Sequence, residues 1–290
     1  MRIALGIATR GRAAILGEVL AEIARQTRAP DRILVCHVTE DDVTGLRERF
    51  PSVEFLAAAA GLPRQRNAIM DSVDDCDAVL FLDDDFLPAP EYLAVLAAIF
   101  AARPDMVVAT GQVIADGAKG PGITVEQGRA LLRQDLPAAE PHVTEPAFNA
   151  YGCNMAVRLD PVRDHALRFD EALPLYAWYE DIDFSRRLGA FGTILRLPGA
   201  RGVHLGVKAG RVPGLRLGYS QVANPIYLAR KGSYPWSHAL YSSGRHCLIN
   251  LVRSAFPEPH VDRFGRFRGN MIALGDLLRG RASPARILDL

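Results

Sequence analysis

The segment Phe81-Leu82-Asp83-Asp84-Asp85-Phe86 sets three consecutive carboxylates at the end of an apolar, strand-like run, Ala78–Leu82. Charges in such a place are costly unless something neutralises them. Hard oxygen ligands suit a divalent cation such as Mg²⁺ or Mn²⁺. Strand alternation sends Asp83 and Asp85 to one side, where both can face one ion or its ligand. Such ions take one or two carboxylates and fill their other positions with water and phosphate. Taken alone, the triplet fits an acidic turn capping the next helix equally well. Its neighbours decide.

Four other segments carry chemistry-bearing residues. Thr9-Arg10-Gly11-Arg12 follows the first apolar run. Gly61-Leu62-Pro63-Arg64-Gln65-Arg66-Asn67-Ala68 opens a helix one element upstream of the triplet. Tyr151-Gly152-Cys153-Asn154-Met155-Ala156 and Trp178-Tyr179-Glu180-Asp181-Ile182-Asp183 lie downstream. Glu180, Asp181 and Asp183 fall in a first helical turn, where the dipole favours acids with or without catalysis.

In this order the five segments resemble the family 2 glycosyltransferases of the GT-A fold, over roughly residues 1–205. The resemblance implies that Asp83-Asp84-Asp85 is a D-x-D element binding Mn²⁺ or Mg²⁺ and the diphosphate of a nucleotide-sugar donor. It implies a nucleotide resting on Thr9 and Arg10, with Arg66 and Asn67 on the donor side. Gly152 and Asn154 resemble the G-x-N segment of the sugar and acceptor pocket. Asp181 resembles the catalytic base of an E-D pair, with Glu180 orienting the acceptor. His204 stands where many such enzymes have a histidine near the metal, giving Asp83, Asp85 and His204 as the expected ligands. Trp178 suits stacking on a sugar ring and filling a core equally well.

The implied reaction fits these residue types. A cation and arginines offset charge on a departing diphosphate, and a carboxylate takes the proton of the attacking hydroxyl, giving inversion. One departure touches the donor. Where the family carries an aspartate-rich segment contacting the base, this chain reads Val35-Cys36-His37-Val38-Thr39-Glu40-Asp41. A UDP-sugar is the expected donor, with GDP and dTDP open.

The elements that must position these residues alternate. Strand-like runs at Arg2–Ala8, Arg32–Val38, Val53–Leu56, Ala78–Leu82 and Met106–Val113 are separated by helical spacings, as in Ile15, Leu16, Val19, Leu20 and Ile23. Pro90 fits the first turn of a helix burying Tyr92, Leu93, Leu96, Ile99 and Phe100. This predicts an α/β domain of Rossmann-like type, a mostly parallel sheet flanked by helices with ligands beyond the strands' carboxyl ends. Residues 116–146, rich in Gly, Pro and polar residues, read as an insertion or flexible excursion. Further strands are expected over Tyr151–Arg158 and Thr193–Leu197, with Phe184 and Leu188 on a short helix between them. Two domains are expected: 1–205, catalytic and nucleotide-sugar-binding, and 206–290, a basic helical extension.

With 49% hydrophobic and 23% charged residues, the chain is of ordinary globular composition, not disordered or fibrous. Its longest apolar run, near Leu93–Ala102, is shorter than the ~18 residues of a membrane span. Ile3–Ala8 runs into a polar turn without a secretory pattern, and the cysteines (36, 76, 153 and 247) form no C-x-x-C pair, so a cytoplasmic chain with free thiols is expected. The last 90 residues hold 14 Lys and Arg against four acids (Glu258, Asp262, Asp276 and Asp289), leaving 20 basic and 29 acidic residues for the first 200.

That basic third interleaves arginine with aromatic and apolar residues, including a face of Phe267, Met271, Leu274 and Leu278. Two readings stand: peripheral docking on an anionic membrane, to reach a glycan or lipid-linked acceptor, or burial of the apolar face on the protein core. No nucleic-acid motif accompanies the charge, and nucleic acid is not an expected partner. Two rival functions remain. A sugar nucleotidyltransferase would need a longer Gly-rich loop after the first strand. A catalytically silent nucleotide-sugar-binding or scaffold protein would differ only in turnover.

Overall fold

The computed structural model describes residues 1–136, 140–208, 213–256 and 258–290. They form two compact units, one of Met1–Ala60, Arg64–Arg168 and Arg187–Gly210, the other of Gly61–Pro63, Phe169–Arg186 and Arg211–Leu290.

The chain begins β1 (Ile3–Ala8), α1 (Ala13–Ile23), β2 (Arg32–His37), α2 (Leu46–Arg49), β3 (Glu54–Ala57), α3 (Leu62–Asp71), β4 (Ala78–Asp83). It continues β5 (Phe86–Pro88), α4 (Tyr92–Ala102), β6 (Met106–Asp116), α5 (Val125–Gln134), β7 (Glu145–Pro146), β8 (Asn154–Arg158). Then come α6 (Leu159–Asp164), α7 (Glu180–Leu188), β9 (Thr193–His204), α8 (Gly214–Lys231), α9 (Trp236–Ser254) and α10 (Arg263–Leu278).

The first unit is built on one sheet in the order β3-β2-β1-β4-β8-β6-β9-β5, with β7 added to β9. β1, β2, β3, β4, β6 and β9 run one way, while β5, β7 and β8 oppose them. The apolar spacings bury as expected: Leu16, Val19, Leu20 and Ile23 of α1, and Tyr92, Leu93, Leu96, Ile99 and Phe100 of α4, join the strand residues in one core. Like-directed strands end on one rim. There the chain leaves β1 at Ala8, β4 at Asp83, β6 at Asp116 and β9 at His204, and β8 enters at Asn154 beside Leu82.

Three expectations need correction. α4 starts at Tyr92, so Pro90 precedes the helix. β6 and β9 outrun their apolar segments because register shifts, one between Gly111 and Gln112, keep them paired as far as Asp116 and His204. Residues 116–146 are not simply an excursion. Thr124 and Gln127 form a capping box at the start of α5, and Arg129 bonds Glu22 (2.7 Å) and Glu18 (2.9 Å) of α1. The part of that expectation falling on 137–139 lies outside the described residues.

In the second unit α8 and α10 meet backbone to backbone. A Cβ on Gly269 would stand 2.0 Å from the Leu215 carbonyl oxygen, and one on Gly218 equally close to that of Arg266. A polar cluster lies beside that crossing: Asn250 Nδ2 donates to Gln221 Oε1 and Asn270 Oδ1 (2.9 Å each), and Asn270 Nδ2 donates to the Gly218 carbonyl (2.7 Å). The inward residues of α10 are Gly269, Asn270, Ala273 and Asp276. Its face of Met271, Leu274 and Leu278 points outward instead, Leu278 being 91% exposed. Among the described residues no helix is long and apolar enough to cross a membrane.

His246 of α9 meets the Trp178 ring edge-on at 5.8 Å. Burial, with the charges of Arg245, Arg266 and Arg263, pushes its pKa down to about 4 from 6.5. Folding therefore favours the neutral ring. The stability it contributes is complete above about pH 6.5 and declines as the pH falls toward 4. Urea unfolding at pH 7 and pH 5 should show His246→Gln losing less stability between the two than the wild type; equal losses would refute this assignment.

Candidate functional site

The rim of the first unit gathers the acids of the β4–β5 turn with residues from three other strand ends. His204 pairs with Phe86 of β5 and Asp116 of β6 in the sheet register. Its Nε2 lies 3.4 Å from Asp85 Oδ1 and 3.9 Å from Asp83 Oδ2, while Nδ1 is 2.9 Å from Asp116 Oδ1. Asp83, Asp85 and His204 each offer one donor atom, all within 4.8 Å of one another. Two carboxylates and an imidazole at that spacing fit a divalent cation. Asp116 would be the outer partner that fixes the imidazole.

Each acid has its own counter-charge. Arg66 of α3 is 1% exposed, lies over the Phe81 ring, donates to the Gly152 carbonyl (2.7 Å) and stands 3.4 Å from Asp83 Oδ1. Asp84 faces Thr9 and Arg12, accepting 2.8 Å bonds from Thr9 Oγ1 and Arg12 Nη1. Asp85 accepts from the Val207 amide (2.8 Å), with Arg12 at 3.7 Å.

These surroundings sort the carboxyls. Burial pushes Asp84 up to about 7, against the pull of Arg12. Burial also works on Asp85, but the hydrogen bond and charge of His204, with Arg12 and the Val207 amide, bring it below the usual carboxylate range. Burial alone would lower His204; hydrogen bonds to Asp116 and Asp85 and the charges of Asp85 and Asp83 raise it to about 10. These contacts favour the imidazolium, whereas only the neutral ring can ligate a cation.

The remaining sequence candidates fall in several places. Arg10 is exposed on the turn after β1, and Arg12, two residues on, meets the acids. Asn67 is buried on α3. Gly152 faces Arg66 through its carbonyl. Asn154 is fully buried, its Oδ1 accepting from Thr110 Oγ1 at 2.8 Å. The departing segment after β2 is organised by buried Asp42, whose carboxylate accepts from the Gly11, Val38 and Thr39 amides. Gln65 Nε2 joins the ends of β1 and β2 through the Thr9 (2.9 Å) and Cys36 (2.7 Å) carbonyls. Arg12 and Gln65 stood within the segments singled out; Asp116 had no sequence signal, because its role depends on how far β6 extends.

Glu180 and Asp181 belong to the second unit. The turn before them holds Leu175, Ala177 and Tyr179 at φ 59°, 52° and 76°, a left-handed conformation costly for residues with a Cβ. Asn224 Nδ2 holds it through the Trp178 carbonyl at 2.8 Å. Glu180 is buried, and Asp181 Oδ1 accepts from the Ile182 amide. Asp183 is fully buried, bonded to Lys231 Nζ (2.8 Å) and Ser233 Oγ (2.6 Å), so it ties α7 to α8 and its neighbour. Trp178 stacks on Tyr179 at 5.3 Å.

No protein-family model matches the chain, and no curated protein matches it by sequence. Solved structures do match. S. aureus TarS (residues 1–349) is 16% identical with a TM-score of 0.60, over 99% of this chain and 82% of that one. The mannosyltransferase PcManGT from Pyrobaculum calidifontis, in complex with GDP-Man and Mn²⁺, is 15% identical with a TM-score of 0.57, over 99% and 85%. GalNAc-T7 with UDP, GalNAc and Mn²⁺ is 13% identical with a TM-score of 0.60, over 97% of this chain and 57% of that one. The chain has the GT-A glycosyltransferase fold. On the GT-A sheet, the acids and His204 stand beyond the strands' carboxyl ends, where open α/β sheets bind ligands.

The acids should separate under mutation. Asp85→Asn should weaken Mn²⁺ uptake in the presence of UDP, followed by loss of the free-ion paramagnetic resonance signal, by at least about tenfold. Asp84→Asn should leave uptake nearly unchanged while altering stability. Equal losses in both would contradict the division of roles.

Proposed function

We propose that the chain is a metal-dependent, inverting glycosyltransferase of the family 2 kind. It moves a sugar from a nucleoside-diphosphate donor to an acceptor hydroxyl of a glycan or lipid-linked saccharide, in bacterial glycan assembly at the cytoplasmic side of the membrane. The observation that carries this reading is the convergence of Asp83, Asp85 and His204 at the carboxyl rim of a GT-A sheet. Its structural neighbours support it, since PcManGT was solved with GDP-Man and Mn²⁺, GalNAc-T7 with UDP and Mn²⁺, and TarS with UDP-GlcNAc.

Asp83, Asp85 and His204 would hold Mn²⁺ or Mg²⁺, which when bound offsets negative charge on a diphosphate leaving group. Arg66 fixes Asp83, and Arg12 with Thr9 fixes Asp84, so the acids keep their geometry without rearranging. Thr9, Arg10 and Asn67 take part in seating the nucleotide, a UDP-sugar by preference. Gly152, Asn154 and Trp178 serve the sugar and acceptor. Glu180 orients the acceptor, and Asp181 takes the proton of its hydroxyl. The oxygen then attacks the anomeric carbon in line with the departing diphosphate, and the sugar's configuration inverts.

Asp181→Asn should bind UDP as the wild type does yet lose at least about 100-fold in nucleoside-diphosphate release with acceptor present. Turnover unchanged in that variant would remove Asp181 as the base. Nucleotide binding without turnover of any UDP-, GDP- or dTDP-sugar would overturn transfer itself and leave a donor-binding protein.

A further inference from the structure

Helices α9 and α10 are turned inside out. The residues α9 buries are Ala239, Ser243 and Asn250, and α10 buries Gly269, Asn270, Ala273 and Asp276. Their exposed faces are apolar. Along α9, Leu240, Tyr241, Leu248, Leu251 and Val252 follow i, i+1, i+8, i+11 and i+12 and fall on one side of the helix; Tyr241 is 73% and Leu248 61% exposed. Along α10, Phe264, Met271, Leu274 and Leu278 make a second exposed stripe. A soluble helix ordinarily shows the opposite arrangement.

Within the two helices the exposed charge beside these stripes is arginine; the acids between them are taken up locally, Glu258 by Arg253 and Arg263, Asp262 by the Gly265 amide. Arg245 edges the α9 stripe, and Arg268 and Arg279 edge that of α10, all three exposed. α9 contains no Asp or Glu. The only acid of α10 is Asp276, which is buried and accepts from Tyr219 Oη at 3.2 Å.

We propose that the outer faces of α9 and α10 dock on an anionic phospholipid surface, the apolar stripes entering the interface and Arg245, Arg268 and Arg279 meeting the headgroup phosphates. An apolar helix face edged by arginine has the chemistry of an interfacial membrane helix. Charge argues against a second copy of the chain as occupant. Pairing like stripes would bring arginine-edged surfaces together with no carboxylate on either helix face to answer them. The polar interior built from Gln221, Asn250 and Asn270 holds the helices together without using their apolar faces. The inference stands on the second unit alone and does not depend on the reading of the sugar site.

The test is cosedimentation of the full chain with phosphatidylcholine vesicles, with and without phosphatidylglycerol, at physiological salt. The chain should bind the anionic vesicles and leave the neutral ones. Replacing two exposed leucines, Leu248→Ser with Leu278→Ser, should weaken binding at least about tenfold. Arg268→Gln with Arg279→Gln should weaken it about fivefold per arginine. All four positions are exposed, and circular dichroism checks that both variants fold. Binding to neither vesicle, or unchanged binding by both variants, would overturn the proposal. So would a dimer in sedimentation velocity that the leucine variant dissolves while vesicle binding stays absent. UDP binding, followed separately, reports on the sugar site whatever the vesicles show.

Discussion

The first unit depends on how it tolerates three adjacent carboxylates at the end of a buried strand. Asp83, Asp84 and Asp85 cannot all stay ionised in little water without partners, and the fold supplies a different one for each. Arg66 meets Asp83, Arg12 and Thr9 meet Asp84, and His204 with the Val207 amide meets Asp85. Each partner comes from a different part of the chain: helix α3, the turn after β1, and the region where β9 ends. The long β6 and β9 strands, with their register shifts, bring His204 and Asp116 to the rim together. Two of the counter-charges are permanent arginines, whereas the third is a proton on an imidazole. A divalent cation can replace that proton; it cannot replace an arginine. The site is therefore built around one exchangeable positive charge.

The second unit solves another problem with related means. α8 and α10 approach too closely for large side chains at Gly218 and Gly269, so small and amide residues fill that crossing. Asparagine and glutamine satisfy one another there. The ion-paired Asp170, Asp183 and Lys231 secure the same unit at the end of α8. Tyr219, Val222, Leu228 and Ile287 stay buried within it, while the apolar stripes of α9 and α10 face outward.

Much of this was legible in the chain. Apolar runs and helical spacings in the first half located β1 to β4, α1 and α4, because those elements contribute to one apolar core. The Asp83–Asp85 triplet stood out because its cost in a strand end is unmistakable. What sequence spacing could not convey was pairing. Arg12 rather than Arg10 meets the acids because Gly11, at φ 68°, turns the chain between them. Asp116 matters only because β6 outruns its apolar segment. The capping box of Thr124 and Gln127 was visible, yet the Gly- and Pro-rich surroundings masked α5. For α10 the 3.6-residue period of Phe267, Met271, Leu274 and Leu278 was correct, but a period says which residues share a face and not which way that face turns.

The central claim is that the acids of the β4–β5 turn and His204 form a cation and diphosphate site. Crystals grown with Mn²⁺ and UDP, with data collected at the manganese absorption edge, test it most directly. The account predicts an anomalous peak within bonding distance of Asp85 and His204, with the UDP phosphates completing its shell. UDP bound at the rim with no manganese peak among Asp83, Asp85 and His204 would contradict it.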